Sequence, residues 1–338
     1  MVCLKDVSGI TEASLRESAM RRSAGKIGLA LGGGGARGWA HIGVINALGE
    51  AGVKADFIAG TSMGALVGAA CASGRIDALH QVALDLDWRR IAYYLMEFTL
   101  PRMGLIDGAR IMEFVNEHVD NVDIRELQVP YAAVAADIMT GKEVVVREGS
   151  VTDAVRASIA IPGMFTPFVR DDHVLVDGGL VNPLPVNVAR DLGAEFVIAV
   201  DITRAPLTGK RHKTPQPASD EERGQTAPEL LRNDMTKSML DKLNLRLRSS
   251  DLKALSLAEK WFGKSELPNI FEIYGNTMRI FQRQITSMRL RLESPDILIQ
   301  PEIQDISTME FHRAGEAINA GYEAARHALE NHFPGDAG

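Results

Sequence analysis

An apolar run, Phe57-Ile58-Ala59, leads directly into Gly60-Thr61-Ser62-Met63-Gly64 and then into the small-residue run Ala65-Leu66-Val67-Gly68-Ala69-Ala70. This order predicts a strand, a sharp turn and a helix with no loop between them. The glycines on either side of the serine permit strained backbone angles and close packing, which lift the Ser62 hydroxyl clear of the sheet edge. A serine held in that way is a candidate nucleophile. Short Gly/Ser strings recur by chance, so the pentapeptide takes its weight from its place between strand and helix and from two further segments.

The same alternation runs along the chain. β-rich runs lie at 27–31, 57–59, 131–135, 143–147, 174–176, 196–200 and 297–299. Helical patterns fill 36–50, 63–73, 76–95, 109–119, 152–160, 185–192 and 308–332. Several strand runs are apolar throughout, as expected for a sheet covered on both faces. The expected class is α/β, a three-layer, mainly parallel sheet between helices. Gly141-Lys142 can close a hairpin between the runs beside it, which would make the sheet mixed.

Composition narrows the classes. Of 338 residues 46% are hydrophobic and 24% charged, with a formal net charge of −7. That is globular composition, and its sign argues against nucleic acid as a partner. Cys3 and Cys71 are too few for a disulfide framework or a cysteine metal cluster, and they fit a reducing cytoplasm. No apolar run approaches the roughly 20 residues that span a bilayer. Residues 27–47 are interrupted by glycines and an arginine, and mixed charge precedes them, so they make a poor signal peptide.

The expected organisation is a catalytic domain at 27–203, a mobile linker at 204–229, a helical insertion at 230–292, and a final strand and C-terminal helix within 293–338. The stretch 204–229 is rich in Pro, Gly and charge. Within 237–264, seven Lys/Arg stand against three Asp/Glu, a local 7 − 3 = +4 interleaved with leucines and Trp261-Phe262. That pattern fits a helix packed on the catalytic domain, an oligomer contact, or a peripheral contact with an anionic membrane surface.

Residues 32–38 read Gly-Gly-Gly-Gly-Ala-Arg-Gly between a strand run and a helical run. Gly33, Gly35 and Gly38 fit the dinucleotide pattern Gly-x-Gly-x-x-Gly, which needs an acidic residue about 20 positions on, after the second strand. Asp56 lies before that strand, and Gly60 ends it, so the nucleotide reading fails there. The other reading is an oxyanion hole. Glycine amides at a helix N-terminus present unobstructed donors, and removing one such donor costs roughly 3–4 kcal/mol of transition-state stabilisation in a serine hydrolase. A tight turn with no ligand is the third reading, disfavoured by the entropy of four consecutive glycines.

A serine hydroxyl needs a partner to take its proton. Asp177 follows the apolar run 174–176 and precedes Gly178-Gly179, which sets it on a tight turn at a strand end. A partly desolvated carboxylate there can act as a base, although an Asp-Gly turn without chemistry reads the same.

Taken in order, Gly33-Gly34-Gly35-Ala36-Arg37-Gly38, Gly60-Thr61-Ser62-Met63-Gly64 and Asp177-Gly178-Gly179 resemble the three signatures of the patatin-like phospholipase family, in its bacterial branch. The segment Ala157-Ser158-Ile159-Ala160-Ile161-Pro162-Gly163-Met164-Phe165 is similar to the family's helix-to-loop segment before the aspartate. The likeness covers 27–203 and returns at 297–301, while 204–292 carries little of it.

The resemblance implies a mixed sheet between helices and a Ser–Asp dyad without histidine. No His-Glu-x-x-His and no cysteine pair points to a metal, and no cofactor is expected. Ser62 would form the acyl-enzyme and Asp177 would be the base. Oxyanion donors would be amides of the 33–37 loop, from Gly33, Gly34, Gly35 and Arg37. Gly38, Gly60, Gly64, Gly178 and Gly179 would support the motifs. Substrates would be acyl esters of phospholipids, lysophospholipids or neutral lipids. The alternative is a regulatory member of the fold that binds lipid or protein, with vestigial hydrolysis.

A Ser-His-Asp triad competes with the dyad. His312, His327 and His332 lie in a polar helical pattern and read as solvated. His41 reads as a packed or capping residue inside a helix, and the direction of His173 is open. Asp171-Asp172-His173 reads as a surface turn. Leu95, Met96, Phe98, Leu100 and Met103 suit either an acyl channel or core.

Overall fold

The strand Ile27–Leu31 is buried along its whole length, and its side chains alternate between two layers. Ile27, Leu29 and Leu31 join one apolar cluster and Ala30 joins the other, which is how a strand behaves with helices on both faces. The computed structural model describes residues 25–95, 108–119, 121–203 and 270–332. The basic stretch 237–264, the expected linker 204–229 and the side chains of Leu95, Met96, Phe98, Leu100 and Met103 lie outside the described residues.

Strands β1 (Ile27–Leu31), β2 (Phe57–Thr61), β3 (Tyr131–Asp137), β4 (Glu143–Val146), β5 (Phe168–Arg170), β6 (His173–Asp177), β7 (Phe196–Val200) and β8 (Ile297–Ile299) form one sheet. Its order is β5-β6-β3-β2-β1-β7-β8, with β4 also paired to β3. The pairs β1/β2, β1/β7, β2/β3 and β7/β8 are parallel. The pairs β3/β4, β3/β6 and β5/β6 are antiparallel, so the sheet is mixed, and Gly141-Lys142 lies in the hairpin between β3 and β4.

Helices α1 (Ala40–Glu50), α2 (Met63–Ala72), α3 (Ile76–Asp85), α4 (Trp88–Leu95), α5 (Ala109–His118), α6 (Val151–Ser158), α7 (Val186–Asp191), α8 (Ile270–Leu292) and α9 (Ala314–His332) complete the described elements. Side chains of α1, α2 and α9 build the larger apolar layer with Leu29, Leu31 and Ile58. Val186, Val188 and Ala189 of α7 pack on Ala30, Ala59 and Ala132 across the sheet. The small residues of β1, β2 and β3 let both helical layers approach closely.

The structure departs from the sequence reading at four places. The helix expected over 36–50 begins as a 3-10 turn, Gly35–Trp39, whose first residue takes a positive φ of 59°. The helix expected over 76–95 breaks at Leu86, which is extended, and restarts where the Asp87 carboxylate accepts the Arg90 N–H at 2.8 Å. The helix expected from 308 starts at Ala314, after a short turn at Phe311–Arg313. β5 was absent from the sequence reading, since a three-residue edge strand with Val169 exposed carries no apolar period.

Helices α1 and α9 touch through two glycines. A Cβ on Gly43 would strike the Ile318 carbonyl, and one on Gly321 would strike the Ala40 carbonyl. Gly321→Ala should destabilise the protein by about 2 kcal/mol and lower Tm by roughly 4–8 °C. Thermal denaturation checks this, and an unchanged Tm would show that the two helices are not in backbone contact.

Candidate active site

Two strands converge on β3 from opposite directions. β2 runs parallel to β3 and ends with Thr61 opposite Val134. β6 runs antiparallel to β3 and ends with Asp177 opposite Ala135, the next register position. Ser62 follows Thr61, so the serine and the aspartate, far apart in sequence, arrive at one point. The Ser62 hydroxyl donates to Asp177 Oδ2 at 2.6 Å. Both side chains are buried.

Ser62 sits at φ 56°, ψ −122°, immediately before α2. Positive φ is unfavourable for a residue with a side chain, at roughly 1–3 kcal/mol, and persists only where the surroundings enforce it. Here they do. A Cβ on Gly60 would strike the Gly64 carbonyl, and one on Gly64 the Leu31 carbonyl. Gly38 packs on the Met63 side chain with the same intolerance. Ser62 N–H donates to Ser158 Oγ at 2.8 Å, and that hydroxyl donates to the Val134 carbonyl at 2.6 Å. The Tyr131 hydroxyl donates to the Ala65 carbonyl at 2.8 Å and fastens the first turn of α2 to β3.

Asp177 is fixed through three atoms. Its N–H donates to the Ala160 carbonyl at 2.9 Å, Oδ1 accepts the Gly179 N–H at 2.7 Å, and Oδ2 accepts from Ser62. Gly178 packs on the Val134 carbonyl and Gly179 on the Gln282 side chain, each where a Cβ would collide. Burial pushes the carboxyl up to about 6, against the smaller opposing pull of the Ser62 and Gly179 hydrogen bonds. A carboxylate held near 6 is a stronger base than an exposed one and is still ionised at neutral pH.

The glycine loop lies against Ser62. Gly33 is not a free donor as expected: its N–H is engaged by the Pro183 carbonyl at 2.9 Å. Its place is steric, since a Cβ there would lie 3.2 Å from Ser62 Cβ. Among the described residues, the Gly34 and Gly35 amides have no backbone carbonyl partner outside the 3-10 turn. Arg37 is buried, and its Nε donates to the Gly34 carbonyl at 3.2 Å. Its side chain therefore shapes the loop and holds the Gly34 carbonyl. Burial lowers the guanidinium to about 10.

No histidine among the described residues joins this pair. His41 Nε2 donates to the Gly32 carbonyl at 2.7 Å, and burial depresses the ring to about 4, so it is neutral. His173 Nδ1 meets Asp137 Oδ2 at 3.0 Å, away from Asp177. His312, His327 and His332 are exposed. Ser158 stands in the segment before the aspartate, but its contact is not legible there, because nothing in one chain's order says that a helix C-terminus touches the turn before another helix.

An apolar cavity of about 120 Å³ opens beside Ser62, lined by Trp39, Met63, Leu66, Phe114, Phe165 and Phe311 among others. Among the described residues no helix is long and apolar enough to cross a membrane.

A family model described as patatin-like phospholipase matches residues 29–190. An uncharacterised NTE family protein of Mycobacterium tuberculosis is 33% identical over 333 residues, covering 91% of this chain and 92% of its own. The neuropathy target esterase sws of Drosophila melanogaster is 36% identical over 181 residues, covering 52% of this chain and 13% of that much longer protein. Among solved structures, VipD from Legionella pneumophila gives a TM-score of 0.41 at 15% identity, covering 91% of this chain and 67% of the other.

Asp177 links stability to pH. The carboxyl has an ordinary value of 3.8 when unfolded and about 6 when folded. Between those values the folded state holds more protons, so the contribution to stability is present below the lower one and is lost as pH rises through about 6. Asp177→Asn removes the titration and keeps the shape. Relative to wild type, the variant should gain on the order of 2–3 kcal/mol between pH 4 and pH 7. Urea denaturation across that range measures the difference, and a gap independent of pH would count against a desolvated carboxyl.

Proposed function

The chain belongs to the patatin-like phospholipase family, and from that premise we propose that it hydrolyses acyl esters of lipids, in the manner of a phospholipase A or lysophospholipase, through a Ser62–Asp177 dyad. The observation that carries this reading is the Ser62 hydroxyl donating at 2.6 Å to a buried carboxylate raised to about 6. The word esterase in the name of the Drosophila relative agrees with it. Residues 27–203 would form the catalytic domain, 204–229 a linker and 230–292 a helical insertion, with 293–338 completing the first.

In the proposed reaction, Ser62 Oγ attacks the ester carbonyl carbon as its proton passes to Asp177 Oδ2. The carbonyl oxygen becomes an anion, which the Gly34, Gly35 and Arg37 amides would hold. Ser62 N–H is held by Ser158 Oγ, so the donors come from the glycine loop. Collapse of the tetrahedral species breaks the ester C–O bond, and the leaving alkoxide takes the proton from Asp177. Water then attacks the acyl-enzyme, Asp177 takes the water's proton, and the second collapse releases fatty acid as the proton returns to Ser62. The apolar cavity beside Ser62 would receive the acyl chain, which favours lipid over small polar esters.

Ser62→Ala and Asp177→Asn should each reduce ester hydrolysis by about 10³-fold or more. A fluorophosphonate probe should label wild type and leave Ser62→Ala unlabelled. Because Asp177 accepts a proton only as a carboxylate, kcat/KM should rise with pH through about 6 and then level. Full hydrolysis by either variant would end the dyad assignment. Wild type that neither labels nor hydrolyses any ester in a lipid panel would favour the regulatory, lipid- or protein-binding alternative.

A further inference from the structure

Resting on the hydrolase reading above, we propose that Ser158 is a positioning residue: together with the Ala160 carbonyl, its hydroxyl sets the Ser62–Asp177 distance from one short segment. The two partners of the dyad arrive on different strands, yet both main chains are tied to residues two positions apart. Ser158 Oγ accepts the Ser62 N–H at 2.8 Å, and the Ala160 carbonyl accepts the Asp177 N–H at 2.9 Å.

The Ser158 hydroxyl has no exposure, and both of its roles are filled. It accepts from Ser62 and donates at 2.6 Å to Val134, the residue opposite Thr61 on β3. The same Val134 carbonyl is the surface on which Gly178 packs, one residue after Asp177. A single buried carbonyl thus serves as the reference point for both halves of the dyad, and the Ser158 hydroxyl transmits it to the serine.

The chemistry requires this group to both accept and donate. Ser62 holds an unfavourable φ of 56° just before α2, where the first amides of the helix lack intrahelical acceptors. An acceptor at its N–H keeps the turn from relaxing. The group must also donate, or the buried Val134 carbonyl loses the hydroxyl it accepts from at 2.6 Å. A hydroxyl satisfies both in the space available, while a methyl satisfies neither and a thiol is a weak donor and acceptor. Relaxation of the turn moves Oγ away from Oδ2, and a displacement of about 1 Å at a reacting atom costs on the order of 100-fold in rate.

Ser158→Ala and Ser158→Cys in the full chain test this, with hydrolysis of a soluble p-nitrophenyl ester and the rate of fluorophosphonate labelling read beside wild type and Ser62→Ala. Both variants should lower kcat and the labelling rate together by about 10- to 100-fold, with KM within about twofold of wild type. A purely structural serine would change melting temperature or KM without that split. A folded variant with kcat near the wild-type value, or one whose loss lies in KM, overturns the proposal. If the alanine variant does not fold, the cysteine variant, closer in shape, carries the same comparison. Wild type without labelling or hydrolysis overturns the hydrolase reading and this inference with it, whereas active wild type with unaffected Ser158 variants overturns this inference alone.

Discussion

β3 is the constraint on which the rest of the site depends. It accepts one strand running with it and another running against it, and the two end at adjacent registers, Val134 and Ala135. A wholly parallel sheet would deliver its strand ends side by side along one edge. Here the mixed pairing points two strand ends toward each other, so a turn residue from each can touch. The Ser62–Asp177 hydrogen bond follows from that register, and a slip of one residue in either strand would turn the alternating side chains to the wrong face.

The second theme is the use of missing side chains. Gly60, Gly64, Gly38 and Gly178 each press backbone against a neighbour where a Cβ would collide. Such packing holds Ser62 in a backbone conformation it would otherwise leave. The Asp177 carboxylate beside it is buried, and that burial outweighs two hydrogen bonds in setting its basicity. Arg37 adds to the same enclosure: it is buried and holds the Gly34 carbonyl in the loop beside Ser62.

Much of this was legible in the chain. Apolar strand runs alternating with helical patterns foretold a mainly parallel sheet between helices, and Gly141-Lys142 foretold the hairpin that makes it mixed, because both signals are local. The glycine run, the serine pentapeptide and the Asp-Gly-Gly turn each stood at a strand end for the same reason. Misreadings arose where a local pattern had two outcomes. A helical period runs unbroken through 76–95, but the Asp87 side chain restarts the helix there. Gly33 looked like its neighbours as a donor, yet a carbonyl 150 residues away in sequence, at Pro183, takes its N–H.

By itself, then, the sequence determined which residues carry unusual backbone and which carry ionisable or nucleophilic groups, since glycine spacing and residue chemistry are properties of the chain at each point. Only the tertiary structure decided which of those groups meet. The Ser62–Asp177 contact, the engagement of Gly33, the neutral His41 and the bridge through Ser158 all depend on strand order and register. Those are set by how the whole apolar surface packs, and no window of sequence contains that information.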